Sequence, residues 1–209
     1  MRVSLVAGQT RRPGLPGGRR RECAVPSRDR RDDLLDAAEQ VLSRGGPQAL
    51  TLQAVADEAG VSKGGLLYHF SNKSELVRAL VERLVDDTNG NFARWDDGEP
   101  GSYTRAFIAS TCHSLTTPNA DKVLRRWSVI LAASTEPGMQ EPIAEAFETW
   151  MQPRPGLDEF PQRAQIARLA ADGLWWNAMF VKAFRDPELN KRISAALVDY
   201  AEGRDHTDD

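Results

Sequence analysis

The chain has little of what catalytic and metal sites are usually built from. Its 209 residues include two cysteines and three histidines. Cys23 and Cys112 are too few and too scattered for a disulfide framework or a zinc site, so no metal and no cofactor is expected. Of the histidines, His69 falls in a short glycine-containing helix, His206 in the C-terminal tail, and His113 beside Cys112. No nucleophile, base and orienting group can be assembled from them, and the chain is read as not an enzyme. Long apolar runs are missing too. None approaches the roughly eighteen residues a membrane span needs, and the first 26 residues lack the apolar centre of a secretory signal. A cytoplasmic protein with no membrane partner is the expectation.

Charge is unevenly spread. Positions 1–75 carry 12 basic and 9 acidic residues, and the remainder 15 basic and 21 acidic. The front is positive, while the acidic body repels a polyanion from the other surfaces. Residues 1–26 hold Arg2, Arg11, Arg12, Arg19, Arg20 and Arg21 against the single acid Glu22, with Gly and Pro between them. This composition predicts a disordered arm. It is either a phosphate- or minor-groove-tracking extension or an N-terminus without a role.

The densest information lies in Thr51 to Glu75, TLQAVADEAGVSKGGLLYHFSNKSE. Leu52, Val55, Ala56 and Ala59 recur at helical spacing, with Thr51 placed to cap the start and Gly60 to end the helix. Ser62 then caps a second short helix, Lys63 to His69. Its glycines Gly64 and Gly65 cost about 1 kcal/mol each relative to alanine. Local stability did not select them, whereas a helix whose first turn must approach base edges and phosphates has reason to shed side chains there. Asn72 and Glu75 form a capping-box pattern for the next helix, which sets Lys73 at a helix N-terminus, a natural phosphate grip. This is a helix-turn-helix. The alternative on spacing alone is a helical hairpin that packs and binds nothing, and DNA binding is favoured over it.

From Arg30 to Leu76 the chain resembles the DNA-binding domain of the TetR (TetR/AcrR) family of bacterial transcriptional regulators. The matching text is LLDAAEQVLSRGG at Leu34 to Gly46, the Thr51 helix opening, Ala56 to Gly65, the YHF at Tyr68 to Phe70, and NKSEL at Asn72 to Leu76. The resemblance implies Thr51, Lys63, Gly64, Gly65, His69 and Lys73 as DNA contacts, with Ser62 counted beside them. The family often has Tyr where this chain has Leu67, and the aromatic here stands one place later, so Tyr68 either replaces a phosphate contact or packs. Leu52, Val55, Leu66 and Phe70 read as core.

An all-α protein is therefore expected: an arm at 1–26, a three-helix DNA-binding domain at 27–75, an effector-binding and dimerisation domain at 76–202, and a tail at 203–209. The first helix is predicted from near Ser27, and Glu75 to Phe92 joins the domains without a flexible linker. Further helices are predicted at Tyr103 to Leu115, Asp121 to Ser134, Pro142 to Met151 and Arg163 to Phe184. A last helix follows the Asp186, Pro187, Glu188 start signal. The helix from Arg163 has two apolar faces: Ile166, Leu169, Ala170, Gly173, Leu174, Asn177, Val181 and Phe184 on one, Ala171, Trp175, Ala178 and Met179 on the other. Two apolar faces need two partners. The resemblance implies a homodimer through the last two long helices, bound to a near-palindromic double-stranded operator and released by a small effector.

Phe107, Trp127, Trp150, Trp175, Trp176 and Met179 are candidates to line a lipophilic pocket, each also readable as core or dimer contact. Asp172 among them is either a counter-ion for a cationic lipophile or an ordinary paired or exposed aspartate near Arg168. Asn177 and His113 are candidate ligand hydrogen-bonders. The reading is a ligand-responsive repressor; a constitutive DNA-binding regulator, or an activator without an effector, is the alternative.

Overall fold

The computed structural model describes residues 30–135 and 138–204. The arm at 1–26, the helix start near Ser27 and most of the tail lie outside the described residues. Within them the fold is all-α, with no strand. In chain order the helices are α1 Arg30–Gly45, α2 Leu52–Glu58, α3 Lys63–His69, α4 Lys73–Ala93, α5 Ser102–Thr116, α6 Ala120–Ala133, α7 Glu141–Met151, α8 Pro161–Ala178 and α9 Pro187–Ala201. Short 3-10 turns at Pro47–Ala49 and Lys182–Arg185 punctuate the run.

The first three helices close around Leu34, Leu35, Leu42, Val55, Leu66 and Phe70, none more than 1% exposed. Burying a leucine-sized side chain stabilises by about 1.5–3 kcal/mol, so this set holds the small domain together. Gly60 turns the chain between α2 and α3 at φ 65°, in the left-handed region where a side chain would be strained. The front of α4 packs Leu76, Val77, Leu80 and Val81 into the same core, all fully buried. Its far end carries Phe92 into the C-terminal half, where Phe92 meets Phe107 and Trp150. One unbroken helix thus belongs to both halves.

Behind it, α5, α8 and α9 pack against one another, while α7 lies on α4 and α6 bridges α1 and α4. The interior of this half holds a buried arginine. Arg168 on α8 is fully enclosed. It bonds Asp158 at 3.3 Å, the hydroxyl of Thr104 and the carbonyl of Gln152, which ties the α7–α8 loop to α5 and α8.

The helix expected from Arg163 to Phe184 stops at Ala178. Its freed end is occupied by Arg185, whose Nε donates to the Ala178 carbonyl at 2.8 Å, and whose guanidinium pairs with Asp121. A 3-10 turn intervenes, and α9 restarts where the sequence indicated, with Asp186 accepting from the Leu189 amide at 2.8 Å. Ala164, Ala167, Ala171, Leu174, Trp175 and Ala178 face the core. Ile166 and Leu169, each 51% exposed, and Phe180, 85% exposed, leave an apolar strip along the outside of α8 and the turn that follows it.

Candidate nucleic-acid interface and internal cavity

The helix-turn-helix is built by three side-chain caps. Thr51 Oγ1 accepts from the Ala54 amide at 3.1 Å, Ser62 Oγ from the Gly65 amide at 3.1 Å, and Asn72 Oδ1 from the Glu75 amide at 2.8 Å. The expected capping box is shifted by one residue. Glu75 reaches back to the Ser71 hydroxyl and amide, each at 2.7 Å, rather than to the amide of Asn72. Those bonds, the Ser71 hydroxyl first, hold the Glu75 carboxyl below its ordinary pKa.

On α3, Lys63, Gly64, Gly65 and Tyr68 are exposed, with Lys73 exposed at the start of α4 and His69 half-buried. Thr51 and Ser62 open toward solvent at the helix starts. Tyr68 is 86% exposed, so it does not pack into the domain; its ring meets His69 edge-on at 5.2 Å. A side-chain carbon added at Gly64 would find its nearest neighbour 3.9 Å away, an ordinary contact. The folded chain itself therefore gives no reason for glycine at that position. Leu66 and Phe70, by contrast, are fully buried and hold the helix down.

The second feature is a partly open cavity of about 70 Å³, lined from five helices. Phe107 of α5, Trp127 of α6, Trp150 of α7, and Asp172 and Trp175 of α8 all face it. The other two candidates do not. Trp176 packs against Trp175 at 5.6 Å, and Met179 sits against Ser128 at the α6 side of the core. Asn177 bonds its own helix at the Gly173 carbonyl, and His113 is exposed against Trp95, so neither reaches the cavity. Cys112 is buried, and that burial pushes its thiol up to about 11, which leaves it unreactive at neutral pH.

Several lining residues were missed from sequence: Thr88, Asn91 and Phe92 of α4, and Ser110, Thr111 and Ser114 of α5. Their signal was present. Phe107, Ser110, Thr111 and Ser114 share one helical face, a polar stripe inside an otherwise buried helix. Asp172 is not paired with Arg168, because that guanidinium is committed to Asp158. Burial raises Asp172 to about 6, and the Trp176 side chain offsets part of the shift.

The cavity and the small domain share two walls. On α6, Trp127 faces the cavity while its neighbour Arg126 grips Glu39 of α1 through two bonds of 2.9 and 2.8 Å. Arg126 also meets Asp87 at 2.8 Å, and Arg125 donates to the Ser43 carbonyl at the end of α1. On α4, Arg83 bonds Asp36 at 2.8 Å and Glu39 at 2.5 Å, two to three turns from the cavity residues Asn91 and Phe92. Burial weakens the Arg126 charge, yet the bonds to Glu39 and Asp87 outweigh it and keep its pKa above the ordinary value. This cluster, which sequence reading did not find, joins residues some 44 to 87 positions apart.

Comparison with known proteins agrees with this architecture. Residues 34–80 match the family model for bacterial regulatory proteins of the tetR family, and residues 101–202 match the tetracyclin repressor-like C-terminal domain. The chain is 45% identical over 71 residues to the HTH-type transcriptional activator FasR of Mycolicibacterium smegmatis, a stretch covering 34% of this chain and 32% of FasR. The match thus takes in about a third of that relative's length. A transcriptional regulator from Rhodococcus sp. Rha1 superposes with a TM-score of 0.62 at 24% identity, over 83% of this chain and 96% of that one. The multidrug binding protein EbrR, solved with malachite green, gives 0.61 at 23% identity, over 81% and 98%. These two structural likenesses carry the fold; the two family matches, which between them span most of the chain, carry the membership. The chain belongs to the TetR family of bacterial regulatory proteins.

Proposed function

We propose that the chain is a ligand-responsive, DNA-binding transcriptional regulator that represses from a near-palindromic operator as a homodimer. In this reading Lys63, Gly64, Gly65, Tyr68 and His69 approach the major groove, and Thr51, Ser62 and Lys73 meet flanking phosphates. The apolar strip of Ile166 and Leu169 on α8 and Phe180 just past its end supports self-association with the same strip of a second copy, with α9 beside it.

The observation that carries the regulatory part is the shared wall. Trp127 and Arg126 are neighbours on α6, one on the cavity and one on Glu39 of α1. A guest that displaces Trp127 works against the clamp on the DNA-binding helices. Release requires that the guest bind one arrangement better than the other, and a tenfold loss of DNA affinity corresponds to about 1.4 kcal/mol of coupling. EbrR, of similar fold, was solved with malachite green, which supports a small-molecule guest for this chain.

The test is a gel shift on the DNA upstream of the protein's own coding sequence, titrated with lipophilic cations, neutral dyes and acyl compounds. Specific retardation relieved by one compound class is the expected result, with derepression of a reporter by the same class. Specific binding indifferent to every compound would move the reading to a constitutive regulator, and loss of transcription on deleting the protein would make it an activator.

A further inference from the structure

We propose that this cavity selects a small aromatic monocation, with the Asp172 carboxylate as counter-ion and the rings of Trp127, Trp150 and Trp175 around the charge. The proposal names the effector class of the regulator described above and rests on that reading for its biological consequence.

Four observations point to a cation. Asp172 is the one charged side chain among the thirteen that line the cavity. Among the described residues it has no ion pair, and the arginine one turn away on α8, Arg168, is fully enclosed on Asp158. Asp172 is half-buried, and a carboxylate drawn partly out of water without a cation is costly to the folded chain and is a recurrent mark of a binding site. Two of the three lining indole N–H groups are already engaged, Trp150 donating to Asn89 at 2.7 Å and Trp175 to Ser114 at 3.1 Å. The hydroxyls of Thr88 and Ser114 are likewise turned to the carbonyls of Leu84 and Thr111 at 2.7 Å each. Beside the neutral polar groups of Asn91, Ser110 and Thr111, the walls offer a guest ring faces, whose quadrupole attracts positive charge, and a carboxylate. An anionic guest meets the same carboxylate with no positive group to offset it, so the cavity discriminates by repulsion as well as attraction.

Volume sets the size of the guest. At about 70 Å³ the space is smaller than the roughly 150 Å³ that accommodates benzene in an engineered cavity, so even one ring enters only as the walls part. Those walls include α4 and α6.

The experiment is isothermal titration of the full chain with phenyltrimethylammonium and with tert-butylbenzene, which share a shape and differ by one charge, and with benzoate as the anion. The expected result is at least tenfold tighter binding of phenyltrimethylammonium than of tert-butylbenzene, and no detectable binding of benzoate. Asp172→Asn should erase the preference while changing tert-butylbenzene affinity less than twofold, and Asp172→Glu should retain it. Equal affinity for the charged and uncharged probes, an equal loss of both in Asp172→Asn, or no binding of the cation overturns the proposal. A gel shift run beside the titration separates the two readings. Cation binding that leaves DNA retention unchanged upholds the cation site and removes its effector role. Release of DNA by neutral or anionic compounds, undiminished in Asp172→Asn, upholds the regulator and overturns the cation.

Discussion

The helices near the DNA-facing end and those around the cavity are anchored by different means. Thr51, Ser62 and Asn72 each close a helix start with a side-chain hydrogen bond, so α2, α3 and α4 begin where the local sequence tells them to. Caps of this kind stabilise by about 1 kcal/mol each. By contrast, α5, α6, α7 and α8 begin without such a bond. Their positions come from long-range polar contacts, above all Arg168 with Asp158, Thr104 and Gln152, and from rings packed edge to face. One half is thus specified locally and filled completely. The other is specified globally and left with a void and an unpaired carboxylate. The difference teaches which half is built to hold a fixed surface and which to change shape.

The contrast is broken most severely by Arg168→Ala. It strands the Asp158 carboxylate in the interior, and the expected cost is about 3–5 kcal/mol in urea denaturation. A loss below about 1 kcal/mol would show that the C-terminal half does not depend on that contact. Next in size is Arg126→Ala, which cuts the link between the halves while Arg83 still holds α1. Operator affinity without effector should stay within about threefold, and the power of the effector to release DNA should fall about tenfold, or about 1.4 kcal/mol of coupling. Unchanged release by gel shift would remove Arg126 from the route.

Asp172→Asn addresses the unpaired charge. Because burial raises this carboxyl from 3.8 to about 6, protonation favours the folded state. Its contribution to stability is whole below the unfolded value and lost as pH rises through about 6. The amide should therefore gain about 1–2 kcal/mol at pH 7 and almost nothing near pH 4. Equal shifts in Tm at the two pH values would rule out a buried charge as the source. The smallest effect on stability sharpens the other side of the comparison. Gly64→Ala should stabilise the small domain by about 0.5–1 kcal/mol while weakening operator binding, because the added methyl has room in the chain but not against DNA. Tighter or unchanged DNA binding would leave Gly64 without an interface role.

Legibility followed the same division. Thr51, Gly60, Ser62, Asn72 and Asp186 announce their helix ends through chemistry confined to a few neighbours, and α2, α3, α4 and α9 start where those residues indicate. The overrun of α8 to Phe184 has the opposite cause. Apolar spacing continues past Ala178, and what ends the helix includes an arginine seven residues later that turns back onto its last carbonyl. Nothing in the local sequence marks Arg168 as buried, since its burial depends on Asp158 and Thr104 arriving from other elements. The clamp of Arg83, Arg126 and Glu39 is invisible for the same reason. The cavity was legible as a supply of aromatics, and only the packing of α4 to α8 divides Trp127, Trp150 and Trp175 from Trp176.

All five tryptophans of the chain, from Trp95 onward, lie in the C-terminal half, and three of them line the cavity. Indole emission from the unlabelled protein is consequently a private signal of that half. Filling of the void should quench or shift it, while a residue exchange on the DNA-facing helices leaves it silent. The two halves can be watched separately in one cuvette, the guest through indole light and the operator through a dye on the DNA.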